Sequence, residues 1–260
     1  MGTPAAVRVW ERSLLQHRRV WRTSLLGSFL QPLLYLLGMG LGVGALVDGT
    51  TGSPELLGGV SYFAFIAPAL LAASAMLVGS QDSLWALLDG FLWGNQYRAM
   101  TATPLRPSQV AAGVSLWHAT RALLTVVGVA VVLTLFADTR TWGLLLAVPA
   151  GVLTGLAFAL PITAWTATRE GDISFPAIMR FAIIPMFLFA GVFFPIEQLP
   201  SALQPVAMLT PLWHGVELCR ASVLGTLGAA DAAVHVGALL VYVVGGWLLC
   251  RWAFTRRLAS

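Results

Sequence analysis

Six stretches of this chain are long, apolar and almost free of charge, and no other feature limits its fold as tightly. Thr23–Val47, Leu56–Gln81, Thr141–Thr168 and Ala232–Cys250 carry no charged side chain. Trp117–Phe136 carries only Arg121, and Phe175–Phe194 only Arg180. An α-helix rises 1.5 Å per residue, so about 20 apolar residues cross the hydrocarbon core of a bilayer. Only 10% of the residues are charged, against about 25% in a soluble domain. A chain this poor in charge cannot face water all round, and lipid is its expected solvent.

The basic residues fix an orientation. Arg8, Arg12, Arg18, Arg19, Arg22, Arg98, Arg106, Arg169, Arg251, Arg256 and Arg257 fall on the N-terminal side of the six spans, against Arg140 and Arg220 on the other. Cytoplasmic loops carry such an excess, so both termini are expected inside. Arg121 and Arg180 lie near cytoplasmic helix ends. The favoured reading is that they snorkel to the headgroups; a substrate-contacting charge is the other.

Two further segments complete the expected architecture. Val7, Trp10, Leu14, His17 and Trp21 recur at helical spacing over residues 3–22, with arginines mainly on the other faces. This predicts a separate amphipathic helix in the cytoplasmic interface, anchored by Trp10, Arg12, Trp21 and Arg22, with His17 as a partly exposed interfacial histidine. Between the fifth and sixth spans, residues 195–230 are apolar but broken by Pro195, Pro200, Pro205 and Pro211. Two short helices that enter the membrane and return on the outer side fit better than another span. The expected fold is thus an all-α polytopic membrane protein, one domain over residues 1–260 with six transmembrane helices.

Catalytic chemistry is not evident. The chain has no lysine, since all fifteen basic residues are arginine, so neither a P-loop nor a Schiff base is available. Neither HExxH nor GxSxG occurs, and the acidic residues sit almost wholly in loops or at span ends. Cys219 and Cys250 are expected on opposite sides of the membrane, and neither has metal-ligand spacing with the histidines. The arginine-rich first 22 residues lack the apolar core of a cleavable signal. No cofactor, metal or nucleic-acid partner is expected in this chain. Gly38/Gly42 and Gly40/Gly44 offer two small faces for close helix packing, with a dimer seam or flexible gate as the alternative.

Two polar segments are the candidate sites. Residues 94–108, after the second span, expose apolar and basic side chains to the cytosol: Gln96, Tyr97, Arg98, Met100, Thr101, Pro104, Leu105 and Arg106. A short helix ending before Pro104 suits docking into a partner's groove. On the outer side, Glu217 lies three residues from both His214 and Arg220, so either pair can meet on one helical face.

Phe189-Ala-Gly-Val-Phe-Phe-Pro-Ile-Glu-Gln-Leu-Pro200, followed by Pro211-Leu-Trp-His-Gly-Val-Glu-Leu-Cys-Arg220, resembles the signature of type-2 ABC exporter permeases. Arg98-Ala-Met-Thr-Ala-Thr-Pro-Leu-Arg-Pro107 also resembles that family's segment before span three. Within the family the chain is most similar to nodulation lipooligosaccharide exporter permeases, through Ser24–Gly42, Leu153–Ala159 and His235–Leu239, and it resembles daunorubicin-type drug exporter permeases too.

The resemblance implies a homodimer in a bacterial inner membrane, with two copies of a separate ABC ATPase subunit that hold ATP and magnesium. It implies that residues 94–108 carry a coupling helix. The outer pair itself reads either as a polar lid that stabilises the outer surface or as an external gate at Gly191, Phe193, Phe194, Pro195, Glu197, Leu199, Pro200, Pro211, His214, Glu217 and Arg220. The expected activity is ATP-driven export of an amphipathic substrate, such as a lipooligosaccharide, glycolipid or drug-like natural product. The competing reading is an ATP-independent, membrane-embedded lipid-modifying enzyme or assembly factor.

Overall fold

The second uncharged window becomes the centre of a helical bundle. A computed structural model describes residues 4–49 and 57–259, without the side chains of 20–29 and 31. The anchors Trp21 and Arg22, residue 3, and the loop over 50–56 therefore lie outside the described residues. All regular structure among the described residues is helical.

The helices, in chain order, are α1 (Ala5–Tyr35), running through a π-helical stretch into α2 (Gly44–Asp48), then α3 (Tyr62–Phe91) and α4 (Gln96–Thr101). They continue with α5 (Pro107–Leu133), α6 (Leu144–Thr166), α7 (Phe175–Phe189), α8 (Gln204–Met208), α9 (Pro211–Leu224) and α10 (Ala229–Leu258). Four of them, α3, α5, α6 and α10, are long and apolar enough to cross a membrane. The first and fifth windows supply the shorter apolar helices Pro32–Asp48 and Phe175–Phe189. The 23 residues of α6 span about 34 Å at the helical rise.

Burial sorts these helices by position. The most apolar stretch of α3 is 89% buried, that of α10 only 17%. A helix apolar on every face belongs inside, whereas Val241, Val244, Leu248 and Leu249 of α10 project outward as apolar groups do toward lipid. Small residues bring the backbones together where α3, α5 and α6 meet. A Cβ on Gly155 would lie 2.9 Å from Ala122 Cβ and 3.2 Å from Ala75 Cβ. Gly40 and Gly44 pack on Phe63 and Tyr62, while among the described residues a Cβ on Gly38 would have no neighbour within 4 Å and one on Gly42 only its own helix.

Three boundaries differ from the sequence reading. The helix expected over 3–22 is not a separate element, because α1 continues without a break to Tyr35. Extending a helix is cheap once it is nucleated, and no breaker lies near residue 22. The predicted stripe turns toward α5, with the His17 ring 5.3 Å from that of Trp117. Val9 is buried against Gly113, and Trp10 Nε1 donates to Thr120 Oγ1 at 2.8 Å, so this face meets α5. The third span begins ten residues earlier than expected, at Pro107, whose missing N–H suits a first helical position. The fifth ends at Phe189 rather than Phe194, because Gly191 turns the chain with φ +80.

The expected pair of outer helices is unequal. Its first arm contains only a 3₁₀ turn, Ile196–Gln198, and the five-residue α8, since Pro200 and Pro205 interrupt any longer helix. The second arm is the full helix α9, capped by Thr210 Oγ1, which accepts from Trp213 N at 3.3 Å. A Cβ on Gly215 would overlap Thr154 at the midpoint of α6, and one on Gly143 would overlap Ser222 at the start of α6. Thus α9 starts halfway down α6 and climbs to its end, which is the path of a returning arm.

Candidate functional site

Residues 94–108 fold as a turn, α4 and the start of α5. Asn95 takes the left-handed conformation, φ 44, which its short polar side chain tolerates, and this reverses the chain after α3. Tyr97 then points inward. Its ring lies 4.7 Å from Phe91 and 5.6 Å from Phe254, in a cluster that joins α3, α4, α5 and the end of α10. Burial pushes the Tyr97 phenol well above its ordinary pKa, so it acts as a neutral ring anchor. Val9 belongs to the same cluster, so both termini sit at this end of the bundle.

The rest of the segment faces outward. Arg98, Ala99, Ala102, Thr103, Pro104 and Arg106 are exposed, while Met100 and Leu105 pack partly on the Tyr97 cluster. Thr101 Oγ1 bonds the helix's own Arg98 carbonyl at 3.0 Å. Arg106 precedes α5, its N–H donating to Gln109 Oε1 at 2.9 Å. Gln96 accepts a short hydrogen bond from Arg12, which ties α4 to α1. The expected anchor Arg12 is thus in contact with the expected coupling helix.

At the opposite end, the residues expected to form a gate divide into two groups. Arg220 is 7% exposed. It donates to Phe65 O at 3.2 Å, to Glu217 Oε1 at 2.8 Å and to Gly191 O at 2.5 Å, and its guanidinium lies 3.7 Å from the Phe65 ring centre. It therefore fastens α9 to α3 and to the turn after α7. Phe193 is buried 5.0 Å from Phe187 and 6.0 Å from Tyr35. Leu199 joins Ile196 and Ala207 in a small cluster that Phe194 and Trp213 flank. Pro211 is buried at the start of α9. Glu197 and Pro200 are exposed, Pro195 is half-buried, and none of the three is hydrogen-bonded to Arg220.

Three polar contacts were not foreseen. Arg121 does not snorkel: its Nε donates to Asp82 Oδ2 at 2.7 Å. Asp82 closed the second uncharged window, but the helix continues past it through a π-helical turn, Asp82–Ala86. That wider turn sets the carboxylate against α5. His214 pairs with His235 of α10, Nδ1 to Nδ1 at 2.8 Å, rather than with Glu217. His118, on α5, is buried with Nε2 2.9 Å from Thr163 Oγ1. A histidine inside an apolar window was the available signal for both His118 and His235. Cys219 and Cys250 are buried and unbridged, and no cluster of three or more metal-ligating side chains occurs among the described residues.

Known proteins share this arrangement of sequence. The family model described as "ABC-2 type transporter" matches residues 5–224. Nodulation protein J of Rhizobium leguminosarum bv. trifolii is 34% identical over 97% of this chain and 93% of its own length. Its namesake in Rhizobium meliloti is 32% identical over 97% and 93%. The inner membrane transport permease YadH of Escherichia coli is 22% identical over 96% and 93%. A family match across most of the chain, and near-full-length relatives above 30% identity, carry the same conclusion as the helical bundle: this chain is a multi-pass membrane permease subunit of the ABC-2 type transporter family.

Proposed function

We propose that the chain is the membrane subunit of an exporter that moves an amphipathic substrate with a sugar-bearing headgroup out of the cell, driven by two copies of a separate ABC ATPase subunit. Permeases of this family work with such ATPases, and this chain has no lysine for a P-loop of its own. ATP and magnesium would bind in the partner subunits. A second copy of the permease would complete the path. Family membership as a transport permease is what displaces the lipid-modifying enzyme as a reading.

The observation that carries the proposal is α4. It is a short helix with an exposed outer face, held from below by a buried tyrosine and from the side by Arg12. A motor pushing on Arg98 and its neighbours would move Tyr97 against Phe91 and Phe254, and so load α3 and α10 directly. Nearly full-length similarity to nodulation proteins, together with the resemblance of Ser24–Gly42, Leu153–Ala159 and His235–Leu239 to nodulation lipooligosaccharide exporters, supports the lipooligosaccharide class of substrate. At the other end, the hairpin of α8 and α9 would form the exit, with its prolines fixing the turns. Co-expression with the cognate ATPase should yield a stable complex whose ATP turnover rises when a glycolipid extract of the source cells is added. A permease that purifies alone, or a complex indifferent to every extract, would overturn the exporter reading.

The orientation follows the arginine excess, with both termini cytoplasmic in the inner membrane. Thr226 follows α9 and Thr103 follows α4, and both are exposed. In a cysteine-free background, a cysteine at Thr226 should react with an impermeant thiol reagent on intact cells, and one at Thr103 should react only after lysis. The reverse labelling would invert the topology.

A further inference from the structure

A cavity of about 220 Å³ opens between α1, α3, α4 and α5, at the end of the bundle that holds the termini. At ~30 Å³ per water it has room for roughly seven waters, the scale of one sugar ring. Its polar walls come from Arg12, Gln16, Asp82, Asp89, His118 and Arg121, with Trp117 beside them.

The charges in this cavity cancel. Arg121 is paired with Asp82 at 2.7 Å, and Arg12 is bonded to the Gln96 amide. Asp89 is an exposed carboxylate on the same wall. An anion entering here would face two carboxylates, and a cation would face two guanidinium groups. The chemistry that remains is a neutral ligand rich in hydroxyls. Carboxylate, amide and guanidinium groups are planar and two-pronged, so each can bond two neighbouring hydroxyls at once. Trp117 and His17 add aromatic rings to the lining, 5.3 Å apart and edge to face, and a sugar's C–H side packs well on such rings.

A second observation points the same way. His118 is 4% exposed, lines the cavity, and its Nδ1 has no hydrogen-bond partner among the described residues. A buried nitrogen left unpaired is costly, and a hydroxyl that reached it from the cavity after a small adjustment of the lining side chains would satisfy it. Exposed apolar side chains lie next to lining residues along α1 and α5. Leu15 and Leu116, adjacent in sequence to Gln16 and Trp117, are 59% and 44% exposed. An amphiphile could therefore set its head in the cavity and leave its tail in lipid.

Resting on the export reading above, we propose that this cavity docks the uncharged sugar headgroup of the transported amphiphile on the cytoplasmic side. Because Gln96 and Tyr97 of α4 form one wall, the docked head touches the coupling helix itself, through the same Arg12–Gln96 bond that ties α1 to it. Substrate occupancy and ATPase engagement then share a single structural element.

Saturation-transfer NMR on the permease–ATPase complex in lipid nanodiscs tests this. The probes are methyl β-glucoside and methyl N-acetyl-β-glucosaminide, with methyl phosphate as the anionic comparison. Transfer to at least one glycoside is expected, with affinity falling about ten-fold in Gln16→Leu and in Asp89→Leu, each of which removes a two-pronged polar contact. Thermal melting of both variants establishes that they are folded. No transfer to either glycoside, transfer unchanged in both variants, or transfer to methyl phosphate alone would overturn the site. Extract-stimulated ATP turnover in the same preparation reads the export function separately. Stimulation without glycoside binding removes only the headgroup site. Glycoside binding that is lost in the variants supports the site even where no ATPase response is seen.

Discussion

Arg220→Gln is expected to lower the stability of the folded permease by about 2–4 kcal/mol, the cost of removing a buried charged donor that bonds two backbone carbonyls and a partly exposed carboxylate. The arginine is 7% exposed, and its three bonds reach three separate parts of the chain: Phe65 O at the start of α3, Gly191 O in the turn after α7, and Glu217 one turn back on α9. Glutamine is too short to reach all three, so at least one buried carbonyl loses its donor. Glu217→Gln should be milder, near 1 kcal/mol, because its side chain is 34% exposed and a neutral amide oxygen still accepts from Arg220. Melting curves of purified protein, read by size-exclusion recovery after heating, separate the two. A stable Arg220→Gln protein that leaks or stalls would make this group a gate rather than a fastening. Unchanged melting and unchanged transport would discard both roles.

Arg98→Glu is expected to abolish ATP-driven transport while leaving the permease inserted and folded. Arg98 is exposed on α4, and an exposed substitution away from packed contacts changes stability by no more than about 0.5 kcal/mol. At a docking surface, reversing a central charge costs about 2 kcal/mol or more, or roughly thirty-fold in engagement with the ATPase. Met100→Asp should uncouple as well, but less cleanly, because Met100 packs partly on the Tyr97 cluster and an aspartate there also weakens the fold. The measurement is ATP turnover and vesicle transport by the reconstituted complex, beside a melting curve of the permease alone. Full transport in both variants would remove α4 from the coupling path. Tyr97→Ala provides the contrast: it empties a buried aromatic site and should cost about 3–5 kcal/mol of stability.

These two predictions depend on the sequence to different degrees. The position of α4 was legible because Pro104 ends a short mixed apolar and basic segment, and local signals of that kind do not depend on distant residues. The pairing of Glu217 with Arg220 was legible as well, since residues three apart share a helical face wherever the helix lies. By contrast, nothing near Arg220 in the chain names Phe65 or Gly191 as its partners. Arg121 shows the same limit: it was read as reaching for headgroups, whereas its partner Asp82 lies on another helix, at the residue that seemed to close a span.

The sequence by itself determined where helices form, which of them are apolar enough for lipid, and the uneven placement of arginine between the two ends. These are sums over neighbouring residues, set by helical rise, side-chain transfer energies and loop charge. The tertiary structure alone decided that α1 is continuous and faces α5, that His214 meets His235, and that a polar cavity borders α4. Those contacts depend on the register of one helix against another, which is fixed by close approach at a few small residues such as Gly155 and Gly215. With 26 glycines in the chain, their identity does not say which are crossing points, because that depends on the neighbour each one meets.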